Sequence, residues 1–373
     1  MTESQQPGTD LTEPDTPALL RAAARAGAEI SERMLETFRA QGLIPRPRRV
    51  GYVGRTPQWR YPSGTDRQLV ALLGWRQHSK DPDLLKILLW LDGFAIPAAD
   101  IRDALARQLR VMTDVMEREI GVHARRHSLD PADHDARNQA IEAMAQTLAA
   151  KRGTTPLPRR SRVRAEDRAR AVAVMIRVFG LGEAVEGSPS DATAVERTLG
   201  IANGRRHHIE DAAPWLTGPA EDLFGAATVT ALPRLLDAVT NASDAELASA
   251  RQTVIALSRH LPLMARMLDA VSGEDNYAGF AAFSQMDQHP ESVLFIIPMV
   301  IAMLRAGWND NLEAVTSALR PFPVLAAQAQ HILDMPAATV EANLAGKPAD
   351  VQERARRLID AAIEGKLDAS TSH

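Results

Sequence analysis

Apolar residues recur at helical spacing along most of this chain. After Pro97, successive apolar residues are three or four positions apart, so they share one face of a helix. This stripe consists of Ile101, Leu105, Leu109, Met112, Met116 and Ile120. We expect it to pack against a partner helix, either in the same chain or in a second subunit. Beyond residue 165 we find neither the alternation that is typical of strands nor a repeat of fixed period. The pattern predicts an all-α fold.

Local signals divide the N-terminal part into short helices. Pro17 suits the first turn of a helix that Gly27 ends. Ser31 is a favourable N-cap for a second helix, which Gly42 ends. The sequence therefore predicts two helices joined by a tight turn. Further helices are predicted at 65–76, at 82–91 and from 97 onwards.

The C-terminal part carries helix signals of the same kind. Ser243 and Glu246 have the spacing of a capping box. The apolar segment 293–304 contains Pro298 and is too short to cross a membrane, so we interpret it as a buried helix. Methionine and phenylalanine side chains between 264 and 303 either fill the core or line an adaptable pocket for a small apolar effector. They are Met264, Met267, Phe280, Phe283, Met286, Phe295, Met299 and Met303.

A basic strip at 42–69, GLIPRPRRVGYVGRTPQWRYPSGTDRQL, interrupts the helical pattern. Its prolines and glycines exclude a long helix and favour a loop or a short hairpin. Between Arg39 and Lys80 the only acid is Asp66, and the local charge is +8 in a chain whose net charge is −4. This clustering favours nucleic-acid binding over a solvated loop without a partner. Trp59 and Tyr61 either anchor the strip in the core or contact the nucleic acid, and we favour the core.

Composition excludes several functions. The chain has no cysteine, which excludes disulfides, thiolate metal sites and a cysteine nucleophile. Its N-terminus is polar and acidic, the reverse of a signal peptide. We expect a cytoplasmic, nucleoid-associated protein with no membrane partner. Catalytic and nucleotide-binding motifs are absent from the sequence, so we expect neither an enzyme nor a cofactor.

The histidine pairs and a second basic run can each be interpreted either as ordinary surface residues or as a functional site. His123 and His127, and separately His207 and His208, have neighbours that suit a metal site, but polar surface histidines are the interpretation we favour. A second basic run at 151–170 contains TTPLP and is interpreted as a linker rather than as a second phosphate contact.

The order of the N-terminal elements resembles a known family. A helix, a turn and a helix ending in FRAQGLIP precede the basic strip, which ends in WRYP, and a helix pair containing LKILLWLDGFAIPAADIRDAL follows. This arrangement is similar to the MerR-type winged helix-turn-helix over residues 17–107. The resemblance implies that the second helix reads the major groove of DNA and that the strip is a wing.

Residue roles follow from that resemblance position by position. Ser31 falls at the start of the recognition helix and Arg33 at a DNA-contacting position. Glu36 stands where the family often has Arg, and Thr37 where it often has Tyr. One turn from Arg33, Glu36 is placed to hold its guanidinium in register. The expected DNA-binding residues are Ser31, Arg33, Arg39, Arg46, Arg48, Arg49, Arg55, Arg60 and Tyr61.

The sequence thus predicts a transcription regulator that binds double-stranded DNA as a homodimer. RNA polymerase and a small apolar effector are further expected partners. Two alternatives stay open, namely a nucleoid or plasmid-maintenance architectural protein and a helical factor that binds an acidic protein. The expected domains are a disordered tail (1–15), the winged helix-turn-helix with its following helix (16–125), a helix and basic linker (126–164), an all-helical C-terminal domain for assembly or sensing (165–366) and a tail (367–373).

Overall fold

Helices account for most of the described part of the chain, and its sheet has two strands. The computed structural model describes residues 13–53, 55–130, 133–150, 163–183, 189–199, 229–272, 283–284, 286 and 289–367. The all-α prediction is confirmed. Contacts divide the chain into a first unit, Met1–Gln108, and a second unit, Leu109–His373. That division lies before the boundary at residue 125 that the sequence suggested.

The first unit consists of short helices around one hairpin. Its elements are α1 (Thr16–Arg25), α2 (Glu32–Ala40), β1 (Arg48–Val53), β2 (Thr56–Arg60), α3 (Thr65–Trp75), α4 (Pro82–Leu91) and the beginning of α5 (Ala98–Arg126).

The N-cap predicted at Ser31 is confirmed, and Asp81 caps α4 in the same way. The Ser31 hydroxyl accepts a hydrogen bond from the backbone N–H of Met34 at 3.3 Å, and the Asp81 carboxylate accepts one from the N–H of Asp83 at 2.9 Å. Gly42 follows α2 with a φ of 73°, a left-handed conformation that favours glycine at a helix end. These local interactions fix the bounds of the helices closely.

The basic strip folds as an antiparallel hairpin, one of the two forms that its composition favours. Arg48 lies opposite Arg60, and Arg49 lies opposite Trp59. The register then shifts by one residue between Arg49 and Gly51, which is a β-bulge. A bulge bends its strand and increases the local twist. It therefore changes which residues of β2 lie opposite the residues of β1.

The core of the first unit is formed by large side chains from its helices and from the end of the hairpin. Each buried apolar side chain of this size contributes roughly 1.5–3 kcal/mol. The largest fully buried ones are Tyr61, Phe38, Leu19, Leu35, Leu43, Leu69, Leu72, Leu85, Ile87, Leu89 and Ile101. The Gln68 side chain donates to the Leu43 carbonyl at 2.8 Å, which ties α3 to the turn after α2.

All the secondary-structure elements in the described part of the second unit are helical. After α5 come α6 (His134–Ala150), α7 (Ala165–Met175), a π-helical segment (Ile176–Leu181), α8 (Pro189–Leu199), α9 (Leu232–Thr240), α10 (Asp244–Ser272), a 3-10 turn (Pro290–Ser292), α11 (Val293–Arg305), α12 (Asn309–Leu319), α13 (Phe322–Leu333), α14 (Ala337–Leu344) and α15 (Ala349–Ile363). None of the described helices is long and apolar enough to cross a membrane.

Several expectations for the second unit can be compared with this fold. The capping box is confirmed, because the Ser243 N–H donates to the Glu246 carboxylate at 2.7 Å and the Glu246 N–H donates to the Ser243 hydroxyl at 3.2 Å. The segment 293–304 lies in α11, as predicted, and most of its side chains are buried. Leu367 is buried in the core beside α10 and α15, so the predicted tail does not begin there.

The apolar residues singled out in the sequence are mostly buried within the chain. In the α5 stripe, Ile101, Leu105, Leu109 and Ile120 are buried, which favours packing within the same chain over a subunit seam. Among the methionine and phenylalanine positions, Met264, Met267 and Met286 are buried, which agrees with the core interpretation for these three, whereas Phe295 is exposed. Phe280 lies outside the described residues.

Candidate nucleic-acid interface

The outer face of α2 is polar and open to solvent. Leu35 and Phe38 point into the core, while Arg33, Glu36 and Thr37 are exposed on the other side. The Thr37 hydroxyl donates to the backbone carbonyl of Arg33 at 3.0 Å, one turn earlier. The helix therefore presents a free polar surface of about two turns, enough to enter a DNA groove.

Glu36 does not hold Arg33, contrary to our expectation. Its carboxylate lies 3.5 Å from the guanidinium of Arg39, which is three residues later on the same helix. This spacing also places side chains on neighbouring positions of a helix surface, so the choice of partner depends on side-chain geometry. Arg33 forms no ion pair with any described residue.

The outer surface of the hairpin combines arginine with exposed aromatic rings. The Arg49 guanidinium donates to the Tyr52 hydroxyl at 2.7 Å, and its Cζ lies 5.2 Å from the centre of the Tyr52 ring. Tyr52 is 59% exposed and Trp59 is 50% exposed. Arg49 is thus held in place by a neighbour that leaves the rest of its donors available.

Trp59 and Tyr61 lie in different environments, although both were expected to anchor the strip. Tyr61 is completely buried, and its hydroxyl finds no hydrogen-bond partner among the described residues. Its backbone N–H donates to the Pro14 carbonyl at 2.8 Å. This placement favours a structural role for Tyr61 over the DNA contact that the resemblance implied. Trp59, by contrast, is not a core residue.

Residues 13–15 contact the folded unit, although we expected them from the sequence to belong to a disordered tail. Glu13 forms an ion pair with Arg48. Asp15 accepts a hydrogen bond from Arg60 at 2.9 Å and another from the N–H of Ala18 at 2.9 Å. An acid placed two residues before Pro17 is a helix-start signal that could have revealed the cap, but no local signal points to the arginines.

The arginines of the predicted site therefore fall into two groups. Arg39, Arg48 and Arg60 are each paired with a carboxylate of their own unit. Exposed cations without such a pair among the described residues are Arg33, Arg46, Arg49 and Arg55. Arginine is well suited to binding phosphate through its planar fork of donors, so the second group is the stronger set of candidates for a polyanion.

Other candidate sites receive less support from the structure. The described residues contain no group of three or more His, Asp or Glu side chains that is arranged to hold a metal ion. His123 is buried, and the pair His207 and His208 lies outside the described residues.

A cavity of about 660 Å³ opens in the second unit between α6, α7 and α8. Alanines are among the residues that line it, including Ala149 and Ala173. Arg177 and Glu142, which also line it, form an ion pair with a distance of 3.3 Å between guanidinium nitrogen and carboxylate oxygen. The methionine and phenylalanine residues between 264 and 303 do not line it.

The comparison with known proteins adds no assignment to this geometry. No protein-family model, curated protein or solved structure matches the chain.

Proposed function

We propose that the first unit is a winged helix-turn-helix that binds double-stranded DNA and that the protein is a transcription regulator. The order of elements supports this proposal, because two helices joined by a turn are followed by an antiparallel hairpin and a second helix pair. In this arrangement α2 enters the major groove and the hairpin contacts the adjacent backbone.

The observation that carries the proposal is the group of exposed arginines that form no ion pair with any residue the structure describes. Arg33 lies on the outer face of α2, Arg46 lies just before the hairpin, and Arg49 and Arg55 lie on it. Solvated cations without an internal counter-charge are placed to displace the counterions that surround DNA phosphates. The exposed Trp59 and Tyr52 rings beside them suit contacts with sugars.

For the second unit we propose a role in assembly. Val111 and Val115 are one turn apart on α5 and are 55% and 46% exposed. Pairing of this face with the same face of a second copy would remove it from water and give a symmetric dimer. A dimer matches the paired half-sites that DNA regulators commonly bind.

The proposed function is tested by titrating the full chain with a short DNA duplex of random sequence at several salt concentrations. We expect wild-type binding to weaken steeply with salt. The double variant Arg46→Ala/Arg55→Ala should bind more weakly, and the slope of log K against log[salt] should fall by about 0.9 for each phosphate contact removed. Arg320→Ala is the control, since Arg320 is an exposed arginine of the second unit.

The outcomes also separate the alternatives. Failure of the wild-type chain to bind duplex DNA would contradict the proposal and favour a factor that binds an acidic protein. If selection from a pool of random duplexes enriches no motif, and the protein binds all the duplexes with equal affinity, an architectural protein is favoured. Enrichment of one motif from that pool is the result expected of a regulator.

A further inference from the structure

The acidic segment Glu13–Asp15 lies along the base of the hairpin, where two arginines face each other. Arg48 of β1 and Arg60 of β2 are directly opposite in the register. Like charges in such a position repel each other. Glu13 pairs with the first arginine and Asp15 with the second, while Pro14 joins the backbone of the segment to the residue after β2. The segment thus supplies a counter-charge to each arginine.

The two ion pairs differ in how firmly they are held. Both carboxylate oxygens of Asp15 are engaged, one with Arg60 and the other with the N-terminus of α1, and each partner of this pair is 37% exposed. The Glu13 carboxylate has Arg48 as its partner, and the side chains of Arg48 and Glu13 are 67% and 32% exposed, so this pair is open to solvent on the arginine side. An exposed pair of this kind is worth at most about 1 kcal/mol, so another anion can replace the carboxylate.

We propose that Glu13 sets the affinity of the DNA-binding surface by competing with DNA phosphate for the Arg48 guanidinium. This inference rests on the proposed function. In the free protein Arg48 is neutralised by Glu13. A phosphate that reaches Arg48 must displace this carboxylate and then lies close to its negative charge. Glu13 is therefore an internal competitor, whereas Asp15 is a structural anchor.

A definite effect on DNA binding follows. Without the carboxylate, Arg48 has no ion-pair partner among the described residues, as is already the case for Arg49 and Arg55. It then contributes one more cation that releases counterions from the DNA when the protein binds. Glu13→Gln should raise the affinity for a random-sequence duplex by about two- to fivefold, the range that an exposed ion pair provides. The slope of log K against log[salt] should become steeper by up to about 0.9.

The effect must depend on Arg48 and not only on net charge. In an Arg48→Ala background, Glu13→Gln should change neither the affinity nor the salt slope beyond the effect of a control. Glu29→Gln is that control, because Glu29 is exposed in the same unit, forms no ion pair with a described residue and loses the same charge. Thermal unfolding of each variant, followed by circular dichroism, should show that Glu13→Gln keeps the helical content and loses no more than about 1 kcal/mol of stability, which is what an exposed ion pair provides.

The test is a titration of a fluorescently labelled random-sequence duplex with the full chain, followed by anisotropy, between about 50 and 200 mM salt. The proteins compared are the wild type, Glu13→Gln, Glu29→Gln, Arg48→Ala and the double variant Arg48→Ala/Glu13→Gln. The proposal is supported if Glu13→Gln raises the affinity for DNA more than Glu29→Gln does and if this gain disappears in the Arg48→Ala background. If the wild type binds DNA and Glu13→Gln behaves like Glu29→Gln, the competitor role is wrong while the DNA-binding function stands. If no form binds DNA, both fail.

Discussion

Asp15 joins the beginning of α1 to the end of β2. Its Oδ1 accepts the backbone N–H of Ala18, and its Oδ2 accepts the guanidinium of Arg60, both at 2.9 Å. The first contact satisfies one of the free N–H groups at the helix terminus, and the second fixes a strand that lies far along the chain. One carboxylate thereby orients the hairpin relative to the helix that precedes α2.

Asp15→Ala should therefore destabilise the first unit more than Arg60→Ala. The Asp15 variant loses a helix cap, worth about 0.5–2 kcal/mol, together with the ion pair. The Arg60 variant loses only a half-exposed ion pair, worth at most about 1 kcal/mol. Urea unfolding of the full chain, followed by the fluorescence of Trp59 and Trp75 among others, measures both. Equal losses would show that the cap contributes nothing.

Arg33→Ala should reduce discrimination between DNA sequences. Arg33 is an exposed side chain on the outer face of α2 without an acidic partner among the described residues. Its loss should cost roughly 1–3 kcal/mol on a motif selected by the wild type and much less on random DNA. Competition binding with the selected duplex and a random duplex gives the ratio of the two affinities, which measures discrimination.

Glu36→Gln provides the matched comparison for that experiment. Glu36 contacts Arg39 and leaves Arg33 alone, so the ratio of the two affinities should stay at the wild-type value. A change in the ratio for Glu36→Gln, with none for Arg33→Ala, would reverse the assigned roles.

The parts of this fold that follow from the sequence are those encoded within a few residues. Ser31 caps a residue three positions later, and Ser243 and Glu246 cap each other over the same distance. Because such pairs are fixed by helix geometry, the residue types and their spacing are enough to predict them. The prediction of a loop or a short hairpin for the basic strip was also local, because its prolines and glycines exclude a long helix.

The contacts that define the candidate site are of a different kind. Arg48 is separated from Glu13 by 35 positions, and Arg60 from Asp15 by 45. Such pairs depend on how the chain returns to the hairpin. Likewise, the burial of Tyr61 and the exposure of Trp59 depend on strand register and on where the hairpin meets the core. No pattern of residue types close in sequence contains that information.

Stability of the second unit should depend on pH through Glu246. Hydrogen bonds from the backbone N–H and then the hydroxyl of Ser243, together with the nearby charge of Arg305, hold the pKa of this carboxyl below its ordinary value. A lowered pKa means that the ionised form stabilises the fold at neutral pH. This contribution is present above the pKa of the unfolded chain and is lost as the pH falls through the lower pKa of the folded state.

Glu246→Gln should remove this pH-dependent contribution while keeping a hydrogen-bonding group in the capping box. We expect the variant to be less stable than wild type in urea at neutral pH, with the difference shrinking as the solution is acidified below the ordinary glutamate pKa. A difference that is constant with pH would show that the charge of Glu246 has no part in it.

The last prediction concerns the dimer. Leu109 is completely buried, so a charge at that position would disrupt the chain itself and would not report on a subunit interface. Val111 and Val115 are exposed on α5, and the double variant Val111→Glu/Val115→Glu should be a folded monomer, because unpaired carboxylates in an apolar contact cost several kcal/mol. Val351→Glu, at another exposed valine of the second unit, should remain a dimer. Sedimentation velocity gives the mass in each case, and circular dichroism confirms the helical content. A double variant that keeps the dimeric mass would place the interface away from this face of α5.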